Sequence, residues 1–324
     1  MKQVLITIDT EVGELGKNIA DAFDIFIEGK VDNREVGYKF IMDVLEKNGV
    51  AGHFFVDVYP FEIFGAERFK TLTQEIFKRN HSVHLHTHPS TAFDKNRIYL
   101  NQYSLGEQVN VLEFGAKKIK EWTGRYPVAH RAGGYAINED TFSALKQAKI
   151  FYDFSFFYKN KNCKLSGNTI NSFFEINGVR EVPVTVFEKN VCYKFLSFNV
   201  FKKKVFEKLD FRYGASLDEI KNVISSCDEG IFIIFLHSFN FLNLSYNFKK
   251  NRYAKISVNN KMVSEFENLI EWLASQEDIV FPLIQDISFN DYKKDNVIKI
   301  CAKKALLPRI TDKLKDKIFN IRNI

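Results

Sequence analysis

Histidines are concentrated in one short segment of the sequence. Of the seven in the chain, four lie between positions 81 and 88. Three of them, His84, His86 and His88, alternate with other residue types, and a period of two predicts a β-strand with these side chains on one face. Neutral imidazole is a common ligand of zinc and related divalent ions. The segment is therefore a candidate metal site, and the alternative is a surface-facing histidine cluster without metal.

Two acidic residues, Asp9 and Glu11, follow a run of β-branched and apolar residues near the N-terminus. A carboxylate from either would complete a ligand set of one acid and two histidines. Three protein ligands leave the fourth position of zinc to water, which is the pattern of a catalytic rather than a structural site. The alternative for each acid is a helix N-cap or an ordinary loop carboxylate.

Two basic residues are further candidates. His237 follows the apolar run Ile231–Leu236, where it could be a hydrogen-bonded core group or a general acid at the mouth of a site. Arg131 lies in the segment His-Arg-Ala-Gly-Gly-Tyr, whose paired glycines permit the backbone to approach a ligand closely. The alternative for Arg131 is a surface side chain in an ordinary loop.

These residues lie at or near the ends of predicted strands. Apolar or alternating runs predict strands at Val4–Ile8, His53–Val58, Ser82–His88, Val128–Arg131, Phe151–Phe157, Glu181–Phe187, Ile231–Leu236 and Ile279–Ile284. Helical spacing is found at 34–48, 61–79, 105–122, 138–148, 216–226 and 263–275. Residues 160–180 and 188–215 are predicted as irregular insertions near the site.

The alternation of strands with helices predicts parallel βα units. Six or seven such units in about 285 residues fit a barrel better than a doubly wound sheet. In a parallel barrel the carboxyl ends of the strands lie on one face, where such folds keep their active sites. The candidate residues of distant segments should therefore converge there, namely Asp9, Glu11, His86, His88, Arg131, Asp153 and His237.

Composition agrees with a large α/β protein. The chain has 324 residues, of which 45% are hydrophobic, so a sizeable core is available. Its net charge of +6 is spread in small clusters, whereas a nucleic-acid binder usually has a denser basic stripe. We expect a solvated, slightly basic surface and no nucleic-acid partner.

Cysteine usage and the N-terminus bear on location. The four cysteines form no CxxC pair and predict neither a disulfide framework nor a zinc finger. The N-terminal segment reaches an acidic pair before a signal-peptide core could be completed, and no apolar run is long enough to span a bilayer. These features predict a cytoplasmic protein.

Residues 286–324 form a polar and basic C-terminal extension, with an amphipathic helix predicted near 311–321. Such a segment is typical of a helix packed on its own domain. The alternative is contact with a membrane that carries a lipid-linked substrate.

The order of the candidate segments resembles that of the polysaccharide deacetylases of carbohydrate esterase family 4, which include chitin, chitooligosaccharide and peptidoglycan deacetylases. The segment Thr7–Glu11 resembles the acidic motif of the family, and Asn80–Pro89 resembles its histidine motif. The Arg-containing loop, the Asp-x-Ser motif and the Leu-His motif are matched by Arg131–Tyr135, Asp153–Ser155 and Leu236–Ser238. All five motifs occur in the family order.

The resemblance implies a distorted (β/α)7-type barrel that forms a single catalytic domain over residues 1–285. It also implies a metal-dependent hydrolase that removes an N-acetyl group from a sugar, with zinc as the expected divalent metal. The expected partner is an N-acetylated sugar, an oligosaccharide or an activated sugar precursor used to make a surface polysaccharide or glycoconjugate.

The resemblance also implies roles for individual residues. Asp9 would be the general base, Arg131 would orient it, and His237 would protonate the departing amine. Asp153 would orient or tune His237. The implied metal ligands are Glu11, His86 and His88, and the implied substrate-binding residues are Tyr135 and Leu236.

One departure from the family pattern concerns the metal ligands. The two histidine ligands of the common motif are four residues apart, but position 90 is Ser here. His88 is the nearest substitute and His84 is the alternative, so the third ligand and the identity of the metal stay open. Ser90 also favours a different hypothesis, a degenerate carbohydrate-binding barrel without metal. A further alternative is hydrolysis of a non-sugar amide C–N bond.

Overall fold

The computed structural model describes residues 1–16, 18–166, 169–195, 198–247, 252–289 and 297–300. Its main strands are β1 Lys2–Thr10, β2 Gly52–Asp57, β3 Ser82–Thr87, β4 Ala129–Ala132, β5 Tyr152–Asp153, β6 Val179–Glu181 and β7 Gly230–His237. Within the described residues these strands form one parallel sheet in the order β7-β1-β2-β3-β4-β5-β6. Phe174–Ile176 extends the sheet antiparallel to β6, and Ile279–Val280 pairs with β1.

Helices follow most of these strands. The main ones are α1 Tyr38–Lys47, α2 Ala66–Lys78, α3 Leu105–Thr123, α4 Glu139–Gln147, α5 Leu217–Ser225 and α6 Asn260–Ala274. Short helical turns lie at Gly13–Gly16, Phe23–Ile27, Phe61–Phe64, Pro89–Thr91, Leu100–Gln102, Gly133–Tyr135 and Ile284–Asp286. The helices confirm the segments in which helical spacing predicted them.

Further strands lie outside the main sheet. Val186–Phe195 pairs antiparallel with Phe198–Lys208, and we call this pair the seam hairpin. Ile298–Ile300 pairs in parallel with its first strand. Two smaller pairs are Lys30–Val31 with Arg34–Glu35 and Leu242–Asn247 with Arg252–Val258.

The strands are buried on both faces, as a parallel sheet covered by helices requires. In β1 every residue is buried. Ile6 and Ile8 belong to the large apolar cluster that the strands share with the helices, whereas Leu5 belongs to a second cluster inside the ring of strands. Alternation therefore places Thr7 and Asp9 on the inner face together with Leu5.

The inner cluster fills the lower part of the barrel with apolar side chains from most of its strands. Its members are Leu5, Phe55, Ala129, Phe154, Val182, Ile231, Ile233, Ile284 and Ile287. A barrel packed in this way has no pore. Asp9 and His86 lie above this cluster on the inner face, at the upper end of the barrel where the strands finish.

Irregular backbone joins β6 to β7. The Ile233 amide donates to the Thr185 hydroxyl at 2.8 Å, and the Leu209 amide donates to the Thr185 carbonyl at 3.0 Å. Two further backbone hydrogen bonds link residues 209–211 to β7. The Phe235 amide donates to the Leu209 carbonyl and the Phe211 amide donates to the Phe235 carbonyl, each at 3.0 Å. The predicted distorted (β/α)7-type barrel is confirmed, and this seam is where it departs from regular strand pairing.

Several predicted segments differ from the structure. The segment 188–215, expected to be irregular, contains most of the seam hairpin. The strand expected at 181–187 is divided, because β6 ends at Glu181 and the hairpin begins at Val186. Apolar content alone does not reveal where a strand leaves one sheet for another, so the expected boundaries were wrong.

The C-terminal extension is described only in part. Ile298–Ile300 pairs with the seam hairpin, which ties this short strand to the body of the protein. The helix predicted at 311–321 lies outside the described residues, and the domain boundary at 285 stays a prediction. None of the helices in the described part of the chain is long and apolar enough to cross a bilayer.

Candidate metal centre and active site

Three buried side chains converge at the upper end of the barrel. One ligand atom from each of Glu11, His86 and His88 lies within 4.8 Å of the other two. Nε2 of His88 is 2.7 Å and Nε2 of His86 is 3.5 Å from Glu11 Oε2. Two imidazole nitrogens and one carboxylate oxygen are a donor set suited to zinc with one position left open. The residues therefore fit a divalent metal.

Strand ends explain this convergence. Glu11 follows β1 by one residue, His86 is in β3, and His88 follows β3 by one residue. His84 shares their face but lies deeper, where its ring stacks on His53 at 5.9 Å and contacts Phe55 at 5.2 Å. His88 rather than His84 therefore joins the donor set.

The end of β4 and the glycine that follows it orient the two histidine rings. Nδ1 of His86 lies 2.9 Å from the Arg131 carbonyl, so an Nδ1–H would donate there and leave Nε2 as the ligand atom. The His88 ring packs against the bare Cα of Gly133. A Cβ at that position would lie 2.4 Å from His88 Cε1 and 2.6 Å from Nε2. Gly133 thus creates the space in which His88 reaches the site.

Asp9 is held by a fully buried arginine. Nη1 of Arg131 donates to Asp9 Oδ1 at 2.8 Å, Nη2 donates to Thr7 Oγ1 at 3.0 Å, and Nε donates to the Phe154 carbonyl at 3.2 Å. Oδ2 of Asp9 lies 3.7 Å from His86 Nε2. One carboxylate oxygen is therefore anchored while the other faces the metal donors.

The donor set is electrostatically coupled. Burial raises the pKa of Glu11, but the charges and hydrogen bonds of His88 and His86 outweigh it and hold this pKa well below its usual value. Burial lowers the pKa of His86, yet Asp9 and Glu11 raise it above its usual value overall. The site thus stabilises an ionised Glu11.

His237 approaches from the other side of β1. His237 pairs in register with Asp9. Its strand, β7, is the neighbour of β1 on the side opposite to β2 and β3. Its Nε2 lies 3.5 Å from Glu11 Oε1, and its ring stacks on Phe239 at 4.8 Å. Burial lowers the pKa of His237 below its usual value and the charge of Lys208 acts in the same direction, while the charges of Glu11, Asp9 and Asp210 offset these effects only in part.

Asp153 has a different partner from the one that the resemblance implies. Its Oδ1 lies 2.6 Å from His130 Nδ1 and accepts from the Ser155 hydroxyl at 2.9 Å. These contacts place it behind β4, so they do not support an orienting role toward His237. Asp210, which acts on the pKa of His237, was missed in the sequence. Its signal is weak, because an aspartate whose Oδ1 accepts nearby backbone amides is common in turns.

Glu181 was also missed. It pairs in register with Asp153 and both side chains are fully buried. Burial and the charge of Asp153 raise the pKa of Glu181 well above its usual value, whereas the hydrogen bond and charge of His130 lower that of Asp153 in spite of burial. These opposite shifts favour a protonated Glu181 beside an ionised Asp153.

The two residues expected to bind substrate differ in position. Tyr135 is half-buried, and its ring contacts Phe157 at 5.2 Å and Phe235 at 6.1 Å. Leu236 is fully buried in the outer cluster, so it does not line the site as expected. Alternation along β7 instead turns Phe235 toward the ring of His237, at 4.8 Å.

Solved structures resemble this chain in fold, whereas sequence comparisons give no match. No protein-family model and no curated protein matches the sequence. A Mycobacterium smegmatis protein assigned as a polysaccharide deacetylase is 15% identical, with a TM-score of 0.52 over 86% of this chain and 85% of that chain. A family 4 carbohydrate esterase from Streptomyces lividans, in complex with acetate, is 12% identical, with a TM-score of 0.46 over 91% and 97%.

A different enzyme shares the same architecture. The 4-alpha-glucanotransferase of Thermococcus litoralis is 10% identical, with a TM-score of 0.55 over 93% of this chain and 42% of that chain. One fold therefore carries more than one chemistry, and activity must be argued from the site. The chain has the polysaccharide deacetylase fold, a distorted (β/α)7 barrel.

Proposed function

We propose that the protein is a metal-dependent hydrolase that removes an N-acetyl group from a sugar. The observation that carries the proposal is the joint geometry of one donor set and two proton-handling groups. Glu11, His86 and His88 would hold the metal, with Asp9 beside them and His237 across β1. Metal-assisted hydrolysis of an amide uses each of these parts.

The proposed metal is zinc or a related divalent ion. When bound, it would polarise the acetamide carbonyl and lower the pKa of a bound water. Asp9 would accept the proton of that water through Oδ2, because Oδ1 is committed to Arg131. The guanidinium of Arg131 is fixed in position, because its other two nitrogens donate to Thr7 and to the Phe154 carbonyl.

His237 would supply the proton to the departing nitrogen. It must be an imidazolium at that moment, and burial works against this state. Three surrounding carboxylates, those of Glu11, Asp9 and Asp210, offset burial only in part, so the pKa of His237 stays below its usual value and the imidazolium, once formed, is a strong proton donor. The imidazole is also fixed in direction by its stacking on Phe239. These features suit a general acid.

A sugar substrate is supported by the surroundings of the site. Tyr135, Phe157 and Phe239 are partly exposed aromatic residues near His237 and Phe235. Aromatic faces with a polar edge suit the apolar face of a sugar ring. We propose an N-acetylated precursor of a surface polysaccharide or glycoconjugate as the substrate.

Ser90 favoured a binding barrel without metal, but the structure offers His88 as the third donor. The metal-free alternative therefore loses the observation that supported it. Hydrolysis of a non-sugar amide would use the same residues, so only substrates distinguish that alternative.

The test is acetate release by metal-stripped protein, before and after zinc is added. The panel contains N-acetylglucosamine, its fully acetylated tetramer and a nucleotide diphosphate-linked N-acetylglucosamine. Zinc-restored release that Asp9→Asn lacks would support both the reaction and the base. Stoichiometric zinc without release from any sugar would reject the sugar substrates, and failure to bind zinc would reject the metal-dependent mechanism.

A further inference from the structure

A largely buried lysine lies beside the site, where its charge lowers the pKa of His237, although it neither gives nor takes a proton in the proposed reaction. Lys208 ends the second strand of the seam hairpin, and its side chain is 17% exposed. Its Nζ lies 2.8 Å from Oδ2 of the fully buried Asp210 and donates to the Tyr135 hydroxyl at 2.9 Å. Desolvation offsets much of the attraction in a buried ion pair, so stability alone is a weak reason for one. The Lys208–Asp210 pair instead holds the hydroxyl of Tyr135 in place through the hydrogen bond from Lys208.

The lysine itself is fixed from several sides. Asp210 Oδ1 accepts the backbone amides of Arg212 at 2.9 Å and Tyr213 at 2.8 Å, which sets the direction of its carboxylate. The Lys208 ammonium lies 4.4 Å from the centre of the Phe235 ring. That ring also contacts His237, so Lys208 lies one aromatic ring away from the proposed acid.

Tyr135 has an unusual backbone conformation. Its φ is 61°, in the left-handed region that bulky side chains rarely adopt. The hydrogen bond from Lys208 and the contacts with Phe157 and Phe235 hold it there. Its hydroxyl accepts from Lys208, and within the described residues no hydrogen bond takes up its own proton. A phenol that accepts one bond keeps one donor to offer.

We infer that Tyr135 and Lys208 form a sugar subsite in which the phenolic O–H, aligned and polarised by the ammonium, donates to a hydroxyl oxygen near the acetamido group. Asp210 balances the charge of Lys208, so the subsite favours a neutral hydroxyl over an anionic group. Lys208 is a positioning residue that acts through Tyr135. The inference rests on the proposed function, because it takes a sugar as the substrate.

The test compares two acetamides with the zinc-loaded full chain. One is the panel sugar that the wild type deacetylates fastest, and the other is 4-nitroacetanilide, which has no hydroxyl and is measured as substrate or as competitive inhibitor. Tyr135→Phe should lower kcat/KM for the sugar by about tenfold to hundredfold, mainly through KM. The same variant should change the value for the acetanilide by less than about twofold, since no hydroxyl contact is lost.

Lys208→Met should raise KM for the sugar more than for the acetanilide, whereas the loss of its charge near His237 would change kcat for both acetamides alike. Because it acts through Tyr135, adding it to Tyr135→Phe should cause little further loss. Matched controls are Tyr158→Phe, at a half-buried tyrosine, and Lys204→Met, at a lysine on the same strand that is 68% exposed. Both controls should retain wild-type kinetics, and all variants should retain zinc content and far-UV circular dichroism.

An equal loss on both acetamides, or no loss on the sugar, would overturn the subsite and leave the deacetylase intact. A loss in Lys208→Met confined to the nucleotide-linked sugar would overturn the neutral hydroxyl as ligand. If the wild type releases acetate from no sugar of the panel, the proposed function fails and the subsite fails with it.

Discussion

Arg131 is a single residue that links the proposed base, a second residue of β1 and a proposed metal ligand. Its guanidinium binds Asp9 and Thr7, while its carbonyl oxygen contacts His86 Nδ1. The planar fork of arginine can serve two acceptors at once in a fixed geometry, whereas a lysine ammonium is a point charge. A lysine at this position would therefore keep the positive charge beside Asp9 but lose the fixed geometry that orients its carboxylate.

We expect Arg131→Lys to retain zinc but lose most of its activity. The charge stays while the direction of Asp9 is lost, and a misplaced general base typically costs about a hundredfold or more in kcat. Zinc stoichiometry and acetate release should be measured on the same sample. Loss of zinc together with activity would show instead that Arg131 acts chiefly through His86.

The Asp153–Glu181 pair should make stability depend on pH. Glu181 has a raised pKa in the folded chain, so its contribution is complete below its usual value of 4.5 and is lost as pH rises through the folded value. Asp153 has a lowered pKa, so its contribution is present above 3.8 and is lost as pH falls through the folded value. Each unit of pKa shift is worth about 1.4 kcal/mol.

Glu181→Gln resembles the protonated acid and should remove the Glu181 part of this dependence. Its free energy of unfolding, measured in urea, should rise relative to the wild type between pH 5 and pH 8. Glu175→Gln is the control, because Glu175 is exposed on the adjacent strand. A constant difference across this range would mean that the pair does not share a proton.

At the scale of elements, the end of β4 together with the residue that follows it acts as a template for the proposed metal ligands. It contributes the carbonyl that contacts His86 and the bare Cα that admits His88. This arrangement explains how two histidines only two residues apart can serve one ion here. The ring of His88 occupies space that a side chain at position 133 would fill.

Gly133→Ala should therefore weaken zinc binding while the fold is retained. Displacing a ligand ring costs about tenfold to a hundredfold in metal affinity, as loss of an orienting neighbour does. A chelator competition assay would measure the change. Gly106→Ala is the matched control, because a Cβ there meets no atom within 4 Å. Equal affinities in both variants would exclude the template role.

The sequence predicted the strands and helices better than the contacts between them. Alternation and buried runs are local properties, so the histidine strand and the acidic end of β1 could be recognised. The partner of Asp153 depends on the register of β4 and β5, and the direction of Leu236 depends on which face of β7 is inside. Lys208 and Asp210 come near His237 only because the barrel closes through an irregular seam, which no local pattern indicates.

At the scale of the whole molecule, metal binding should couple to stability. The donors come from the ends of β1 and β3, which lie on either side of β2, so an unfolded chain does not hold them together. A ligand present at a hundred times its dissociation constant stabilises the folded state by about 2.7 kcal/mol.

Zinc should therefore raise the Tm of the wild type, and removal by a chelator should reverse the rise. His88→Ala should lose most of this response, because it keeps the fold but lacks one donor. His81→Ala is a poor control since it removes a hydrogen bond to Gly52, so an exposed site such as Lys261→Ala serves better. A zinc response of equal size in His88→Ala would place the ion elsewhere.

The seam between β6 and β7 separates the residues proposed to hold the metal from those proposed to contact the sugar. The proposed metal ligands and base are held by β1, β3 and the exit of β4, while Lys208 stands at the foot of a hairpin inserted into the seam. Strand pairing on the opposite arc of the barrel does not depend on the length or sequence of that hairpin. Under the proposed function, exchange of the hairpin would therefore alter the surroundings of Tyr135 and His237 while the proposed metal ligands and base keep the strands that support them.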